Sequence, residues 1–432
     1  MKVFMLGWEF PPFISGGLGT ACYGLTKAMD RLGIEITFVL PKMIESEHAT
    51  HVQLLSPTSP RSKAPAEFGA FQHLAFRHIP SVLRPYAPVE SEPQEPTEQP
   101  TAQEQRVAED REGSTKPSED GMDYSGDMSV EIHRYAEAAA KLAQGQPFDL
   151  IHAHDWMTYP AGMLVQQRSG KPLVAHVHST EFDRSGEHVH QMIYEVERAG
   201  MHAADRIIAV SCLTRNIITA RYGVAGEKVD VVYNGVEPQD EAIVASCHPR
   251  IDQEDKIVLF LGRITMQKGP EYFLQAARKV LACVENVKFV MAGSGDMMHR
   301  VIEMAAEMGI GSKVLFTGFL RGDDVKKAYQ MADLYVMPSV SEPFGIVALE
   351  ALAHGVPVLM SKQSGASEVL RHVLKVDFWD TDQMANKIVT VLRNPPLRST
   401  LREHGNMEVR RLGWDGAAER CVKIYAEMVV GI

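Results

Sequence analysis

The stretch that decides the fold is residues 334–352, Leu-Tyr-Val-Met-Pro-Ser-Val-Ser-Glu-Pro-Phe-Gly-Ile-Val-Ala-Leu-Glu-Ala-Leu. It begins with the short apolar run Leu334–Pro338, which suits a buried parallel strand. An apolar helical run follows, in which Pro343 suits the first turn and Gly355 the helix end, while Gly345 lets a ligand approach the backbone. The N–H groups that open such a helix favour phosphate. The stretch is therefore predicted to be a strand, an anion-binding loop and a helix.

Apolar runs of the same kind recur on both sides of this unit. Strands are predicted at Lys2–Trp8, Ile34–Pro41, Phe148–His154, Pro172–Ser179, Arg206–Ser211, Lys228–Tyr233, Ile257–Gly262, Val287–Ala292, Val314–Gly318, Leu334–Pro338 and Val356–Ser361. Helices are predicted between them, notably at Leu18–Arg31, Met128–Gln144 and Val189–Ala204. This alternation is typical of parallel sheets with crossover helices, and ligands bind such sheets at the carboxyl ends of the strands. We therefore predict an α/β protein with Rossmann-like sheets.

The length of 432 residues is too great for one hydrophobic core, so two domains are expected. The first is predicted to cover 1–240 and the second 241–413, with a linker near Asn234–Ala245 and a cleft between the domains. The last segment, Trp414–Val430, has the pattern of an amphipathic helix. We expect this helix, within residues 414–432, to pack back on the first domain.

An acidic segment interrupts the first domain. Between Glu90 and Asp127 there are twelve acids and three bases, so this stretch carries −9 of the formal net charge of −11. It is rich in Pro, Gln, Thr and Ser and has almost no aliphatic residues, so it cannot bury enough surface to offset chain entropy. We predict a disordered insert over about 56–127, and the composition favours a solvated loop over a regulatory segment.

Composition excludes several functional classes. Outside the insert the chain is close to neutral and has no basic stripe, which argues against nucleic acid as a partner. No apolar run is long enough to span a membrane, and the first residues lack the features of a signal peptide. The five scattered cysteines suggest neither a disulfide framework nor a zinc site. A soluble, cytoplasmic protein is expected.

The Glu-Pro-Phe-Gly-x-x-x-Leu-Glu-Ala run resembles the donor site of retaining glycosyltransferases of the GT-B type, in which two glutamates are separated by seven residues. Here they are Glu342 and Glu350. The likeness extends over nearly the whole chain except the acidic insert. It includes a glycine loop similar to that of bacterial and archaeal glycogen synthases. The remaining motifs, in chain order, are Trp8–Pro12 with Ser15–Gly19, His152–Trp156, His176–Arg184 and Gly262–Gly269.

The resemblance implies a GT-B fold, in which two Rossmann-like parallel-sheet domains face a central cleft. It also implies a hexosyltransferase that moves glucose from ADP-glucose or UDP-glucose to an α-1,4-glucan with retention of configuration. Ile14 stands where starch synthases often have lysine, which leaves the nucleobase and the glucan open. Three alternatives remain. The first is a transferase of the same fold whose product is another glycoside, a glycolipid or a surface polysaccharide. The second is a non-hydrolysing sugar epimerase, and the third is a catalytically silent sugar-binding protein.

Four residues are predicted to be catalytic: His178, Glu342, Arg263 and Lys268. Arg263 and Lys268 follow the first strand of the second domain, so their cations reach the crevice in which a departing diphosphate gathers negative charge. His178 ends the strand Leu173–Val177 and matches the family's active-site histidine. The resemblance implies that it lies against the transferred sugar.

Ligand binding is predicted for a second group of residues. Gly16 and Gly17 give close backbone approach to phosphate from the first domain. Glu9 matches a position that contacts acceptor or sugar in glucan synthases. The complete predicted donor-binding set is Gly16, Gly17, Phe344, Gly345, Ile346, Glu350 and Gly293. The partners are thus a nucleotide-sugar donor and a polysaccharide or other sugar acceptor.

Neither a cofactor nor a metal is predicted, although two patterns mimic metal sites. Asp380-Thr381-Asp382 has the Asp-x-Asp form, yet it precedes a helical run and is interpreted as a helix cap. His152 and His154, with Asp155, are interpreted as structural because the two imidazoles alternate along a buried strand. Gly293-Ser294-Gly295 lacks the third glycine of a dinucleotide fingerprint and is expected to be a turn near the nucleotide.

Overall fold

The structure is a computed structural model that describes residues 1–10, 16–43, 73–81, 126–237 and 255–430. The strands in these ranges are β1 (Lys2–Leu6), β2 (Glu35–Met43), β3 (Leu74–Ser81), β4 (Leu150–His154), β5 (Leu173–Val177), β6 (Arg206–Ala209), β7 (Val229–Val231), β8 (Lys256–Leu261), β9 (Val287–Ala292), β10 (Val314–Gly318), β11 (Leu334–Met337), β12 (Val358–Ser361) and β13 (Leu374–Val376). The helices are α1 (Gly17–Arg31), α2 (Gly126–Ala143), α3 (Tyr159–Ser169), α4 (Glu181–Ser185), α5 (Gln191–Ala203), α6 (Cys212–Tyr222), α7 (Pro270–Leu281), α8 (Met298–Glu307), α9 (Asp323–Met331), α10 (Ile346–Ala353), α11 (Thr381–Arg393), α12 (Pro395–Val409) and α13 (Trp414–Val430).

The strands form two parallel sheets. The first has seven strands in the order β3-β2-β1-β4-β5-β6-β7, and the second has six in the order β10-β9-β8-β11-β12-β13. Each order reverses direction once, between β1 and β4 in the first sheet and between β8 and β11 in the second. At such a reversal the crossover connections leave on opposite faces, so a crevice opens beyond the carboxyl ends of the two strands. The predicted α/β architecture of two parallel sheets is confirmed.

The central strands of the first sheet are buried on both faces. Every residue of β4 and β5 is buried. On one face, aliphatic residues such as Ile151 and Val177 pack under the helices. The opposite face carries the imidazoles of His152, His154 and His176, which are also almost completely buried. Burial on both faces is what a parallel sheet covered by crossover helices requires.

The last helix, α13, lies against α1 of the first sheet's domain. Trp414 is buried against Gly24, where any Cβ would collide with the indole ring. Arg31 forms an ion pair with Asp415. The chain therefore passes between the two domains twice, once between the two sheets and once before α13. The two connecting segments are in contact, because Val236 N donates to Leu412 O at 2.9 Å. No helix in the described part of the chain has the length and apolar character that a membrane crossing needs.

Two strands were not predicted. The insert was expected to extend back to about residue 56, but Leu74–Ser81 forms β3 and pairs with β2 from Ile36 onward. Edge strands keep one side open, so β3 has exposed positions and a weaker apolar pattern. β13 has only three residues, Leu374–Val376, too few for a period to show. The rest of the predicted insert, up to residue 125, and the linker beyond Glu237 lie outside the described residues.

Candidate active site

The centre of the second-domain wall is an ion pair at the switch point between β8 and β11. The loop after β8 ends in a 3₁₀ turn at Lys268, and the loop after β11 carries Glu342. Lys268 Nζ donates to both carboxylate oxygens of Glu342, at 2.9 and 2.8 Å. Ser339 Oγ donates to the same carboxylate at 3.0 Å. Two predicted catalytic residues from separate motifs thus meet where a ligand crevice is expected.

The start of helix α10 lies in the same loop. Gly345 is its N-cap with φ 103°, and no side chain caps the helix. A Cβ at Gly345 would lie 2.9 Å from the flexible end of Met337, so it is the positive φ that favours glycine here. Pro343 was expected in the first helical turn, but the helix begins only at Ile346, and the Pro343 carbonyl instead accepts the Thr214 hydroxyl at 3.4 Å. Because α10 begins in this loop, the positive end of its dipole faces the crevice.

Two other donor residues lie deeper in the second domain. Glu350 accepts a hydrogen bond from Tyr329 Oη at 3.2 Å, and burial raises the pKa of its carboxyl although Tyr329 opposes the shift. It is half-buried and lies about one turn into α10. Gly293 has φ 142°, and a Cβ there would collide with the Gly262 carbonyl, so the loops after β8 and β9 touch. The Gly293–Gly295 segment lies between β9 and α8 and belongs to neither.

In the first-domain wall, Glu9 follows β1 and is buried with 3% exposure. Its carboxylate accepts the Gly19 N–H at 3.3 Å, in the first turn of α1. A Cβ at Gly16 would lie 2.8 Å from Glu9 Oε2, whereas Gly17 faces open space. Burial raises the pKa of Glu9 to about 7, and the Gly19 amide and the Arg263 guanidinium of the second domain partly offset that rise. Glu9 and Arg263 therefore interact across the cleft.

His178 comes directly after β5 on the same wall. Its Nε2 lies 2.9 Å from His154 Nδ1, and its ring stacks on His176 with the centroids 4.1 Å apart. Burial lowers the pKa of His178 to about 3, so the imidazole is neutral at physiological pH. A neutral imidazole of this kind serves as a hydrogen-bonding group of fixed orientation, not as a cation.

Asp155 is a site residue to which sequence reasoning gave no functional role. Its carboxylate accepts the backbone N–H of His178 at 2.7 Å and that of Ser179 at 3.4 Å. Its φ of 58° and ψ of 170° are a combination that only glycine adopts without strain, and no other non-glycine residue in the described ranges has positive φ. Its position in the chain pointed to the site, because Asp155 directly follows β4 and the carboxyl ends of the neighbouring strands β4 and β5 lie side by side.

The other histidines of these strands form a buried ladder. His152 Nε2 lies 3.1 Å from His176 Nδ1, and His152 Nδ1 pairs with the Tyr425 hydroxyl of α13. Burial lowers the pKa of His152, His154 and His176, which keeps them neutral. Ring nitrogens of these three lie within 4.8 Å of one another, as do ligand atoms of Cys22, His154 and His178. At the other metal-like motif, Asp380 Oδ1 accepts the Gln383 N–H at 2.9 Å and caps α11, as predicted.

Comparison with known proteins places this geometry in a family. Residues 122–240 match the family model of Glycosyltransferase Family 4, and residues 247–407 match that of Glycosyl transferases group 1. An uncharacterised glycosyltransferase of Methanocaldococcus jannaschii is 30% identical over 446 residues, which cover 98% of each chain. The protein belongs to the group 1 glycosyltransferases. The predicted glycosyltransferase is thereby confirmed at the level of the family.

Further similarities bear on the fold and on relatives of this glycosyltransferase. A D-inositol 3-phosphate glycosyltransferase of Catenulispora acidiphila is 28% identical over 316 residues, 68% of this chain and 75% of the relative. Sucrose-phosphate synthase of Thermosynechococcus elongatus has a TM-score of 0.74 at 20% identity, with all of both chains covered. Anabaena HepE in complex with UDP-glucose has a TM-score of 0.66 at 18% identity, again over all of both chains. The GT-B fold is thus shared along the whole length.

Proposed function

We propose that this glycosyltransferase transfers glucose from a nucleoside diphosphate to an acceptor hydroxyl with retention of configuration. The observation that carries the proposal is the Lys268–Glu342 pair beside the uncapped start of α10, with Arg263 exposed on the neighbouring loop. Two cations and a helix N-terminus at one switch point form a site for a diphosphate that develops charge as it departs.

Each residue of the second wall then has a distinct role. Lys268 and Arg263 stabilise the departing diphosphate, and the N–H groups at Gly345 and Ile346 bind its oxygens. Glu342 holds Lys268 in place and bonds a sugar hydroxyl, while Glu350 is assigned to a hydroxyl further along the donor. Phe344 is 3% exposed, so the backbone of this residue, and not its ring, is assigned to the donor.

The order of the strands favours one direction for the donor. The loops at the carboxyl ends of β11, β8, β9 and β10 lie side by side in that order. Neighbouring strands are about 4.8 Å apart, so the four loops span roughly 14 Å. With the sugar at Glu342 and the diphosphate at Arg263 and Lys268, the base extends past Gly293 toward β10. There Phe319 is 49% exposed with the Arg321 guanidinium over its ring, and aromatic faces bind bases of any identity by stacking. Such stacking does not select the base, so we keep both UDP-glucose and ADP-glucose as proposed donors.

On the first wall, we propose that His178 lies against the transferred glucose and Glu9 faces the acceptor. The neutral His178 suits a sugar hydroxyl, and Gly16 and Gly17 leave room beside the diphosphate. In the proposed reaction the bond from the anomeric carbon to the diphosphate breaks through an oxocarbenium-like state. The acceptor hydroxyl attacks from the same face and passes its proton to a diphosphate oxygen.

Two acceptors follow from different observations. The glycine loop after Glu9 resembles that of glycogen synthases and favours an α-1,4-glucan. The names of two similar proteins, D-inositol 3-phosphate glycosyltransferase and sucrose-phosphate synthase, favour a small phosphorylated sugar or polyol. We keep the glucan as the proposal and the phosphorylated acceptor as the second candidate.

The test combines a donor panel with an acceptor panel. UDP-glucose, ADP-glucose, UDP-galactose and GDP-mannose are each incubated with glycogen, fructose 6-phosphate or inositol 3-phosphate, and release of the nucleoside diphosphate is followed. We expect glucose donors with glycogen to give the highest rate, and NMR of the product to show the α-anomer. Transfer only to the phosphorylated acceptors replaces the glucan by the second candidate, and a β-linked product contradicts retention.

A further inference from the structure

A group of contacts joins the two domains at the start of α6. The N-cap of this first-domain helix is Ser211, whose Oγ accepts the Thr214 N–H at 3.0 Å. The next two N–H groups bond to the second domain instead. Glu368 Oε2 accepts from Cys212 N at 2.9 Å, and Glu368 Oε1 accepts from Leu213 N at 2.8 Å. A carboxylate of one domain thus caps a helix of the other with both of its oxygens.

Glu368 ends a 3₁₀ turn that is bonded to the loop carrying Glu342. The Glu342 N–H donates to Gln363 O, and the Glu342 carbonyl accepts from Gly365 N, both at 2.9 Å. Ala366 N also donates to Phe344 O at 2.7 Å. The backbone of Glu342 is therefore held at both of its polar groups by the segment that leads to Glu368, so a displacement of the turn also displaces Glu342.

The first domain contacts the same loop at other points. Ser341 Oγ donates to Asp183 Oδ1 at 2.6 Å. Gly365 packs so closely on α6 that a Cβ there would lie 2.5 Å from Ser211 Cβ. Together with Glu368, these contacts fix the Ser341–Gly345 loop between the two domains.

We propose that Glu368 is a positioning residue that holds the domains closed and sets the position of Glu342 for transfer. A carboxylate at a helix N-terminus is attracted by the N–H groups and the helix dipole. Because Glu368 is exposed, salt screens this attraction. The inference rests on the proposed function only for the role of Glu342, since the contact between the domains stands on its own geometry.

Glu368→Gln tests the proposal, with Glu408→Gln as the matched control. Glu408 also accepts from two successive N–H groups, those of Arg371 and His372 at 2.9 Å each, but these N–H groups begin no helix and all three residues belong to the second domain. We expect Glu368→Gln to lower kcat about five- to tenfold, the scale of a weakened charge-assisted cap. The calorimetric Kd for the bare nucleoside diphosphate should change by less than kcat in Glu368→Gln, and Glu408→Gln should keep the parental kcat and Kd.

Small-angle X-ray scattering supplies a readout that needs no turnover. Glu368→Gln should show a larger radius of gyration than the parent and Glu408→Gln, and high salt should move the parent toward the variant. Unchanged scattering or unchanged kcat in Glu368→Gln overturns the proposal, and so does an equal loss of kcat in Glu408→Gln. If the parent turns over no nucleotide sugar, the proposed function fails, while the scattering comparison still decides whether Glu368 holds the domains closed.

Discussion

The two walls of the cleft differ in charge: the first-domain wall is largely uncharged, and the second-domain wall carries charged groups. The first-domain wall is built from buried groups that are neutral or easily neutralised: His178 has a pKa of about 3, while Glu9 and Asp155 have pKa values of about 7. The second-domain wall has an exposed Arg263, the Lys268–Glu342 ion pair and an uncapped helix start. We therefore propose that the first wall supplies shape and orientation, whereas the second supplies the charge that a diphosphate requires.

The largest expected effect is on the second-domain wall, called the charged wall from here on. Lys268→Ala removes a cation whose contribution grows as the bond to the diphosphate breaks, so kcat should fall on the order of 10²-fold, with a smaller loss of donor affinity. Turnover with the full donor and calorimetry with the bare diphosphate separate these two quantities.

Glu342→Gln is the counterpart on the same ion pair. It keeps the shape but not the charge, so transfer should fall while diphosphate binding stays nearly intact. Full turnover in Lys268→Ala, or lost diphosphate binding in Glu342→Gln, contradicts the division of roles proposed for this pair.

The next effect concerns the first-domain wall, called the positioning wall from here on. Asp155→Gly and Asp155→Ala both remove the bonds to the N–H groups of His178 and Ser179, so each should lower kcat about tenfold or more, because the turn that carries His178 loses its support. Only the glycine relieves the strain at φ 58°, so Asp155→Gly should be more stable than Asp155→Ala by about 1 kcal/mol. Denaturant unfolding and turnover are measured on both. Activity that follows stability in this pair shows that Asp155 has only a structural role.

A pH-dependent effect is expected at Glu9. Its pKa rises from 4.5 to about 7 on folding, so the folded state holds the proton more tightly than the unfolded chain, and stability falls as pH rises from about 4.5 to 7. Glu9→Gln removes this loss and should be more stable than the parent at pH 8, by up to about 3 kcal/mol, with a small difference at pH 4.5. Thermal unfolding at both pH values checks this. The same gain at both pH values shows that protonation is not the cause.

The smallest effect is expected from chelation. Since the helix start, Arg263 and Lys268 already supply positive field for the diphosphate, EDTA should leave kcat unchanged. The assay is run with and without EDTA and then with added magnesium or manganese. Activity lost in EDTA and restored by either ion contradicts the electrostatic account of the charged wall.

The sequence predicts the charged wall better than the positioning wall. Glu342, Gly345 and Glu350 lie within one short motif, and a strand followed by a glycine loop and a helix has few alternatives. Asp155 differs, because neither its positive φ nor its bonds to the turn after β5 can be read from its neighbours in sequence. Glu368 is similar, since its bonds to α6 join residues more than 150 positions apart. The edge strand β3 was missed because its exposed positions weaken the periodicity on which strand prediction depends.

The return of α13 to the first domain determines the order in which the protein can be completed during synthesis. Tyr425 bonds to His152 inside the first domain, yet the ribosome adds it 273 residues after His152. At a typical rate, the residues between Glu237 and Tyr425 take roughly ten to forty seconds to make. During that time the nascent first domain exposes the surface of α1 that Trp414 later covers.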